Sequence, residues 1–446
     1  MLQPLLALPR RTRLLTIPCA CAAAVLLTAC GGGGSGASTD ESLLTPGTEV
    51  SSNDGGNNSS RPTPTPSPAP TPAPSPSPAP SPSPAPTPSP APAPSPAPAP
   101  APDSNGETRD PLKWPFSADS IWNMPIGSNA KFVAANLNAN PGGDEWAPMP
   151  QIDDEIIILK PDAPQVSVNY SDAGWTGKNR CSATGGELFR APIPSNYVLP
   201  NNGENNSAAV LAADGRTIIQ TQPLTRCSTG GSATAIVKFP DQDIYGKGHG
   251  GAHGGSALSA IGGSIRIGEL RPGQTGPRHA LKVNVYASEA LARCTSYANC
   301  YRWPATAADS YAVGHYGTEA PSNVPSGMKM GALLAIPGTV NIDNLGLETE
   351  PGRQLAWTLQ NYGAYIVDDT WGPSFAINAE TGPDGDKRTE FRKDYGFDMF
   401  QRVNANSPWT RDMQRLMRAL HLVDNNGPDS VGGGGTPRQP LAPAFK

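Results

Sequence analysis

The sequence lacks the short motifs that mark several common enzyme classes. It has no G-K-[ST], so a P-loop is absent, and no G-x-S-x-G, so the nucleophile elbow is missing and an esterase is disfavoured. It also has no C-x-x-C, which disfavours a cysteine zinc site. Neither a metal nor another cofactor is therefore predicted.

Positive charge is scarce as well. The chain has 33 Lys and Arg against 38 Asp and Glu, a formal net charge of −5. Loss of the three arginines in the predicted signal peptide would change this charge to −8. So acidic a chain is poorly suited to nucleic acid or to anionic lipid surfaces, and nucleic acid is not an expected partner.

Residues 1–29 have the pattern of a signal peptide. Three arginines precede an apolar run that is too short and too rich in Cys and Ala for a membrane span. The segment LTAC at 27–30 resembles the lipobox of bacterial lipoproteins, which implies cleavage before Cys30 and lipid attachment to it. Because Gly31 follows, and not the aspartate that favours inner-membrane retention in similar lipoproteins, we expect an outer-membrane or cell-surface anchor. A plain secretory signal is the alternative.

Residues 30–107 form a predicted linker. They are first rich in Gly and Ser, and then carry proline at almost every second position up to Pro102. Such a segment cannot pack and is expected to be an extended spacer of roughly 100 Å. Its composition resembles linkers in secreted bacterial enzymes that degrade polysaccharides. Residues 108–446 then form one globular domain.

The predicted domain contains four cysteines. An even number of cysteines in an exported chain suggests two disulfides. Three pairings are possible, and we expect Cys181 with Cys227 and Cys294 with Cys300, the latter closing the small loop CTSYANC.

Short β-rich segments dominate the first two thirds of the domain. They predict strands at 155–160, 164–170, 207–213, 216–222, 233–239, 264–270, 279–287 and 331–337. Helices are predicted at 351–362 and after the N-cap Ser407, with a strand at 364–369 between them. The expected fold is mainly β, an antiparallel β-sandwich or jelly roll with C-terminal helices packed on it, and α+β overall.

Strand parity indicates one candidate catalytic pair. In SIRIGEL, Glu269 lies on the face of two isoleucines, and in HALKVNVYA, His279 lies on the face of Leu281 and two valines. A hairpin between these strands would bring Glu269 and His279 together, where each tunes the proton affinity of the other. A structural hydrogen bond at the end of a sheet is the alternative.

Two loops supply candidate substrate-binding residues. The glycine-rich run YGKGHGGAHGGS holds His249 and His253, and its glycines permit close approach of a ligand. The loop CYRWPATAADSYAVGHYG holds Arg302, Trp303, His315 and Tyr316. Aromatic rings stack on sugars while Arg and His bond the hydroxyls, although an aromatic minicore under the loop would look the same.

Four segments are similar to a group of secreted proteins from soil bacteria: SADSIWN, GAHGGSALSAIGGSIRIGEL with RHALKV, the RWPA loop and PGRQLAWTLQNYGAYIVDD. The resemblance spans most of residues 110–446. It brings no activity and no catalytic residue with it.

Together these features predict a surface-anchored carbohydrate-active enzyme, either a glycoside hydrolase or a polysaccharide lyase, acting on an extracellular polysaccharide. Glu269 and His279 are the expected catalytic residues. The alternative is a noncatalytic glycan-binding or adhesion lipoprotein, in which these two residues would not be needed for binding.

Overall fold

A mixed β-sheet of twelve strands organises the described part of the chain, residues 107–137, 150–370, 372–399 and 407–446, in the computed structural model. The predicted signal peptide, Cys30 and the predicted linker up to residue 106 lie outside the described residues. The strands are β1 (Thr108–Arg109), β2 (Phe132–Ala134), β3 (Pro150–Ile158), β4 (Gln165–Tyr170), β5 (Glu187–Pro192), β6 (Ala208–Leu211), β7 (Thr217–Gln222), β8 (Ala233–Ala235), β9 (Val237–Lys238), β10 (Gln242–Asp243), β11 (Gly250–His253), β12 (Leu281–Val285), β13 (Leu333–Ala335), β14 (Ala364–Asp369), β15 (Phe375–Gly382), β16 (Gly385–Asp386), β17 (His421–Val423) and β18 (Ala444–Phe445).

The large sheet has the strand order β10-β7-β6-β3-β15-β12-β14-β13-β17-β2, with β9 paired to β7 and β16 paired to β15. Three central pairs are parallel, namely β3 with β6, β3 with β15, and β12 with β14, and the other pairs are antiparallel. The structure therefore confirms a mainly β fold with helices, and the sheet is mixed where an antiparallel sandwich was expected. A second sheet has the order β5-β4-β8, and β1 pairs with β18.

The helices are α1 (Ala287–Ala290), α2 (Ala312–His315), α3 (Glu350–Asn361), α4 (Lys387–Tyr395) and α5 (Pro408–Ala419). Helix α3 matches the predicted helix, and Thr349 caps it by accepting a hydrogen bond from Gly352 N. Helix α5 begins after Ser407, as predicted, because the Ser407 side chain accepts from Thr410 N.

Two cores lie on one face of the large sheet. Toward β12 and β14, Leu281, Val283 and Ile366 pack with Leu355 of α3 and Leu416 of α5. Toward β3 and β6, the small sheet packs against the large one through residues that include Ile156, Ile158, Val168 and Val210. Helices and small sheet thus share this face.

The opposite face is covered by loops. Ile157 of β3 and Val367 of β14 pack there with Trp122, Ala252 and Leu258. The glycine-rich loop that contains Ala252 and Leu258 therefore lies directly on the sheet.

Seven of the eight strands predicted before residue 340 contain strands in the structure, and β14 matches the ninth segment. The segment 264–270 does not form a strand, because only Ile265 makes a single bridge, to Ala379. Its chain turns where Arg266 N donates to the Glu269 carboxylate and Glu269 N donates to Arg266 O. Such a local side-chain bond competes with strand pairing.

Both expected disulfides are present. Cys181 pairs with Cys227 at a Cα separation of 5.6 Å, and Cys294 pairs with Cys300 at 5.1 Å. They indicate an oxidising, extracytoplasmic compartment. Among the described residues, no helix is long and apolar enough to cross a membrane.

We expect the two disulfides to contribute unequally to stability, because a longer closed loop loses more entropy on cross-linking. The separations are 46 and 6 residues, which correspond to about 4 and about 2 kcal/mol. Paired Cys→Ala variants measured by urea unfolding should show this order. A larger loss on removal of the Cys294 pair would contradict it.

Candidate functional site

One face of the central strands carries polar side chains where a core would normally be apolar. Asp153 and Glu155 of β3, Lys282 and Asn284 of β12, and Asn378 of β15 all point to the loop-covered side. Their neighbours along each strand point to the helices or the small sheet, as strand alternation requires. We call these five residues, together with Asp368 of β14, the polar face.

A β-bulge directs Asp368 onto the polar face. The pairing of β12 with β14 runs from Val283 opposite Ile366 to Asn284 opposite Asp368, so Val367 is the extra residue. Without the extra residue, Asp368 would alternate with Val367 and point to the helices. Bulges commonly redirect side chains next to active sites.

The glycine-rich loop lies so close to these acids that side chains would not fit. A Cβ on Gly254 would meet Asp368 Oδ2 at 1.9 Å, and one on Gly255 would meet Asp309 Oδ2 at 2.6 Å. The Gly255 N–H donates to Asp368 Oδ1 at 3.0 Å. The glycines therefore allow the backbone to approach these acids closely, and Gly255 bonds one of them.

Glu155 is the centre of the polar face and is fully buried. Its Oε1 accepts from Lys282 Nζ at 2.7 Å and also contacts His253 Nδ1. Lys282 donates further to the carbonyls of Ser259 and Ala260 at 3.0 and 2.8 Å. Burial opposes ionisation of Glu155, but Lys282 and His253 outweigh burial, and the pKa of Glu155 is lowered. Burial lowers the pKa of Lys282.

Asp153 lies at the edge of the polar face, with 14% of its side chain exposed. It accepts from Asn284 Nδ2 at 2.8 Å, and its Oδ2 is 3.8 Å from His253 Nε2. The possible ligand atoms of Asp153, Glu155 and His253 all lie within 4.8 Å of one another, which is compact enough to hold a metal ion. Sequence reasoning placed His253 at a substrate and predicted no metal here.

Asp368 is buried, and burial raises its pKa well above the usual range, with nearby Asp309 adding to the effect. It accepts from the backbone N–H groups of Gly255 and Asp369 and from Asn205 Nδ2 at 3.3 Å. A buried acid with a raised pKa thus lies beside an amide near the end of β14.

A second cluster surrounds His315, next to the end of β14. His315 Nε2 is 3.0 Å from Asp369 Oδ2, and Tyr311 donates to the same oxygen at 3.2 Å. The Asp369 side chain is only 2% exposed, whereas that of His315 is 32% exposed. The Asp369 hydrogen bond raises the pKa of His315. Among the described residues, no group bonds His315 Nδ1.

Tyrosine rings flank this histidine. The rings of Tyr311 and Tyr286 lie 5.4 and 5.9 Å from the imidazole, and both side chains are half-buried. Tyr316, a predicted substrate contact, is fully buried instead, and its hydroxyl donates to Asp309 at 2.5 Å. Tyr286 and Tyr311 are therefore the rings that an outside molecule could reach.

Glu269 and His279 are brought together as the sequence predicted, although by a turn and not by a hairpin. His279 Nε2 lies 3.0 Å from Glu269 Oε2, and His279 Nδ1 donates to Ala280 O at 2.9 Å. Both ring nitrogens are thus occupied, as in a charged imidazolium. Beside the pair lies a cleft lined by residues that include Lys113, Trp114 and Arg266. The geometry is that of a clamp closing the 266–279 turn, and a catalytic role remains a prediction.

Arg302, Trp303 and His249, the remaining predicted substrate contacts, make contacts within and between loops. Arg302 donates to the carbonyls of Gly327, Asp424 and Asn426. The ring of Trp303 lies 6.0 Å from that of His249, edge to face. Arg302 therefore holds three loop segments together.

Sequence reasoning missed the polar face, although a signal for it was present. In HALKVNVYA, Lys282 and Asn284 alternate with apolar residues, and in DDEIII, Asp153 and Glu155 share the face of Ile157. Strand β15, which lies between them, was not predicted. Its neighbours in the sheet could therefore not be identified.

Comparisons with protein-family models, curated proteins and solved structures find no match to the chain.

Substitution of Gly254 by alanine should destabilise the loop over the polar face, because the added Cβ would overlap the Asp368 carboxylate. We expect a loss of about 1–3 kcal/mol in the free energy of unfolding, typical of overpacking. Gly314→Ala is the matched control, since its Cβ would meet nothing within 4 Å. Equal stability of the two variants in urea would argue against the close approach.

Glu269→Gln should lower the free energy of unfolding most between pH 4.5 and 6.5. These are the ordinary pKa values of a glutamate and a histidine, the side chains of Glu269 and His279. Burial opposes charging of both groups, but their mutual attraction outweighs it, so the pKa of His279 is raised and that of Glu269 is lowered. The pair's contribution is lost as pH rises through the raised pKa of His279, or falls through the lowered pKa of Glu269.

The expected maximal loss is about 1–3 kcal/mol, measured by urea unfolding across pH. Arg266 and Lys387 also approach Glu269. Glu187→Gln, on an exposed carboxylate, is the control. A loss that does not vary with pH would show that the pair is not ionic.

Proposed function

We propose that the chain is an exported carbohydrate-active enzyme that cleaves an extracellular polysaccharide, with His315 and Asp369 as its proton-transfer pair. The observation that carries the proposal is the state of His315. Its imidazole is partly exposed, one nitrogen is held by a buried carboxylate, and the other has no described partner. His279, by contrast, has no free nitrogen.

Cleavage of a glycosidic bond requires a proton for the departing oxygen. The Asp369 hydrogen bond raises the pKa of His315, which keeps the imidazolium populated to higher pH. Asp369 also fixes the orientation of the ring, because it accepts from Ala287 N at 2.8 Å and is therefore fixed itself. His315 is thus suited to act as a general acid.

The surroundings of His315 suit a sugar. Half-buried Tyr286 and Tyr311 offer aromatic rings, which bind the apolar faces of pyranoses. The departing oxygen needs this proton whether the sugar is neutral or a uronate, so both hydrolase and lyase chemistry fit.

We also propose that the enzyme lies outside the cytoplasm, anchored at the outer membrane or cell surface. The two disulfides support an extracytoplasmic site. A lipid on Cys30 and the proline-rich spacer would hold the domain at the outer membrane or cell surface, at a distance from the lipid.

The test is an activity screen of the exported protein on a panel of neutral and uronate polysaccharides. New reducing ends without a conjugated double bond identify a hydrolase, and new ultraviolet absorbance from the double bond identifies a lyase. His315→Asn should lower kcat about 10²–10⁴-fold. His421→Asn changes a histidine on β17 that does not contact the His315 cluster, and as the matched control it should leave kcat unchanged.

The pH profile adds a second readout. Activity should fall as pH rises through the pKa of His315, because the acid form is then lost. Asp369→Asn removes the hydrogen bond that raises this pKa, so the alkaline limb should move to lower pH. The other groups that face His315 are the acids Asp309 and Glu319 and the tyrosines Tyr286, Tyr311 and Tyr316.

Full activity of His315→Asn, or an unmoved alkaline limb in Asp369→Asn, would contradict the assignment. Binding of a glycan with no product on any substrate would identify the protein as a binding module.

A further inference from the structure

We propose that His253 Nε2 and Asp153 Oδ2 bind a divalent transition-metal ion such as Zn²⁺, with Glu155 orienting the imidazole. This site goes beyond the proposed function and does not depend on it, since none of its residues belongs to the His315 cluster.

In His253, one ring nitrogen contacts a carboxylate, and the other has no partner among the described residues. His253 is buried, with its side chain 1% exposed. Its Nδ1 contacts the Glu155 carboxylate, an acceptor, so this nitrogen carries the hydrogen. The Nε2 is buried and has no hydrogen-bond partner in the described part of the chain. A carboxylate on one nitrogen of a histidine is the usual support for metal binding by the other.

This second nitrogen, Nε2, faces an acceptor. The nearest carboxylate oxygen, Asp153 Oδ2, is 3.8 Å away and already accepts from Asn284 Nδ2. A proton on Nε2 would not join the two atoms, because 3.8 Å exceeds hydrogen-bond length. The buried Nε2 of His253 is thus left facing a carboxylate without a bond between them, which is costly for the imidazole unless something lies between the two atoms.

The distance favours a metal ion over a water molecule. Two hydrogen bonds of about 2.8 Å to one water at a tetrahedral angle place their partners about 4.6 Å apart. Two bonds to Zn²⁺ of about 2.1 Å place their ligands about 3.4 Å apart. The observed 3.8 Å is closer to the metal value.

A further oxygen belongs to a neighbouring amide. Among the described residues, Asn284 Oδ1 is buried without a partner, and the Nδ2 of the same amide bonds Asp153. Asp153 is partly exposed, which gives an ion access from solvent. One imidazole with carboxylate and amide oxygens suits a transition metal better than Ca²⁺ or Mg²⁺, which prefer oxygen alone.

The charge balance is also suitable. Lys282 neutralises Glu155 at 2.7 Å, which leaves Asp153 as the second acid beside His253. The ammonium of Lys282 is engaged by Glu155 and two backbone carbonyls.

The experiment measures Zn²⁺ binding by calorimetry on the exported protein after chelator treatment, without substrate. We expect one Zn²⁺ per chain, and Mg²⁺ should bind far more weakly. Asp153→Asn keeps the size of the side chain and should weaken Zn²⁺ binding at least about 100-fold, as should His253→Gln. Circular dichroism confirms that each variant is folded.

His249→Gln is the matched control. This histidine lies in the same loop and also has a buried, unpartnered Nε2, but it does not belong to the group of Asp153, Glu155 and His253. It should leave the Zn²⁺ affinity unchanged. If His253→Gln does not fold, the folded Asp153→Asn variant decides the question.

No Zn²⁺ binding by the wild type, or equal binding by wild type and Asp153→Asn, would overturn the site. Equal affinity for Mg²⁺ would overturn the assignment to a transition metal. Zn²⁺ binding that persists in an inactive His315→Asn variant would separate this site from the proposed activity. Inactivity of the wild type on every polysaccharide would contradict the proposed function and would not affect the Zn²⁺ assignment.

Discussion

The buried ion pair between Glu155 and Lys282 is the constraint on which the rest of the structure depends. Neither side chain is exposed, and each makes its bonds across different parts of the fold. Removing one partner of such a pair leaves an uncompensated charge, which costs about 3–5 kcal/mol. The Lys282 ammonium also binds the carbonyls of Ser259 and Ala260. The pair therefore joins two central strands to the loop above them and orients His253.

Glycine makes this arrangement possible. A loop with side chains at 254 and 255 would be kept away from Asp368 and Asp309, so the backbone donor of Gly255 would not reach its carboxylate. The result is a sheet whose covered face is apolar around Trp122 and charged around Glu155. Charges there are tolerated because Glu155, Lys282 and Asp153 each have a partner on another strand or on the loop.

Three histidines illustrate how neighbours decide the chemistry of one side chain. His279 has acceptors at both nitrogens and serves as a charged clamp. His315 has a carboxylate at one nitrogen and stays partly exposed, so it suits proton transfer. His253 has a carboxylate at one nitrogen and is buried, so its other nitrogen suits a cation. In each case the difference comes from partners that are distant in sequence.

The sequence by itself determined the β-rich class, the capped helices and the contact of Glu269 with His279, and it favoured the disulfide pairing that the structure shows. These depend on local patterns: strand alternation, the N-cap of Ser407, the short CTSYANC loop, and eleven residues of chain that keep Glu269 and His279 close. Only the tertiary structure decided that segment 264–270 turns and that Asp153, Lys282 and His253 meet. Strand order depends on the summed packing of distant segments, and a one-residue bulge at Val367 changes which face Asp368 occupies. Neither the strand order nor the bulge is encoded in a short stretch of residues, because both depend on which strands become neighbours.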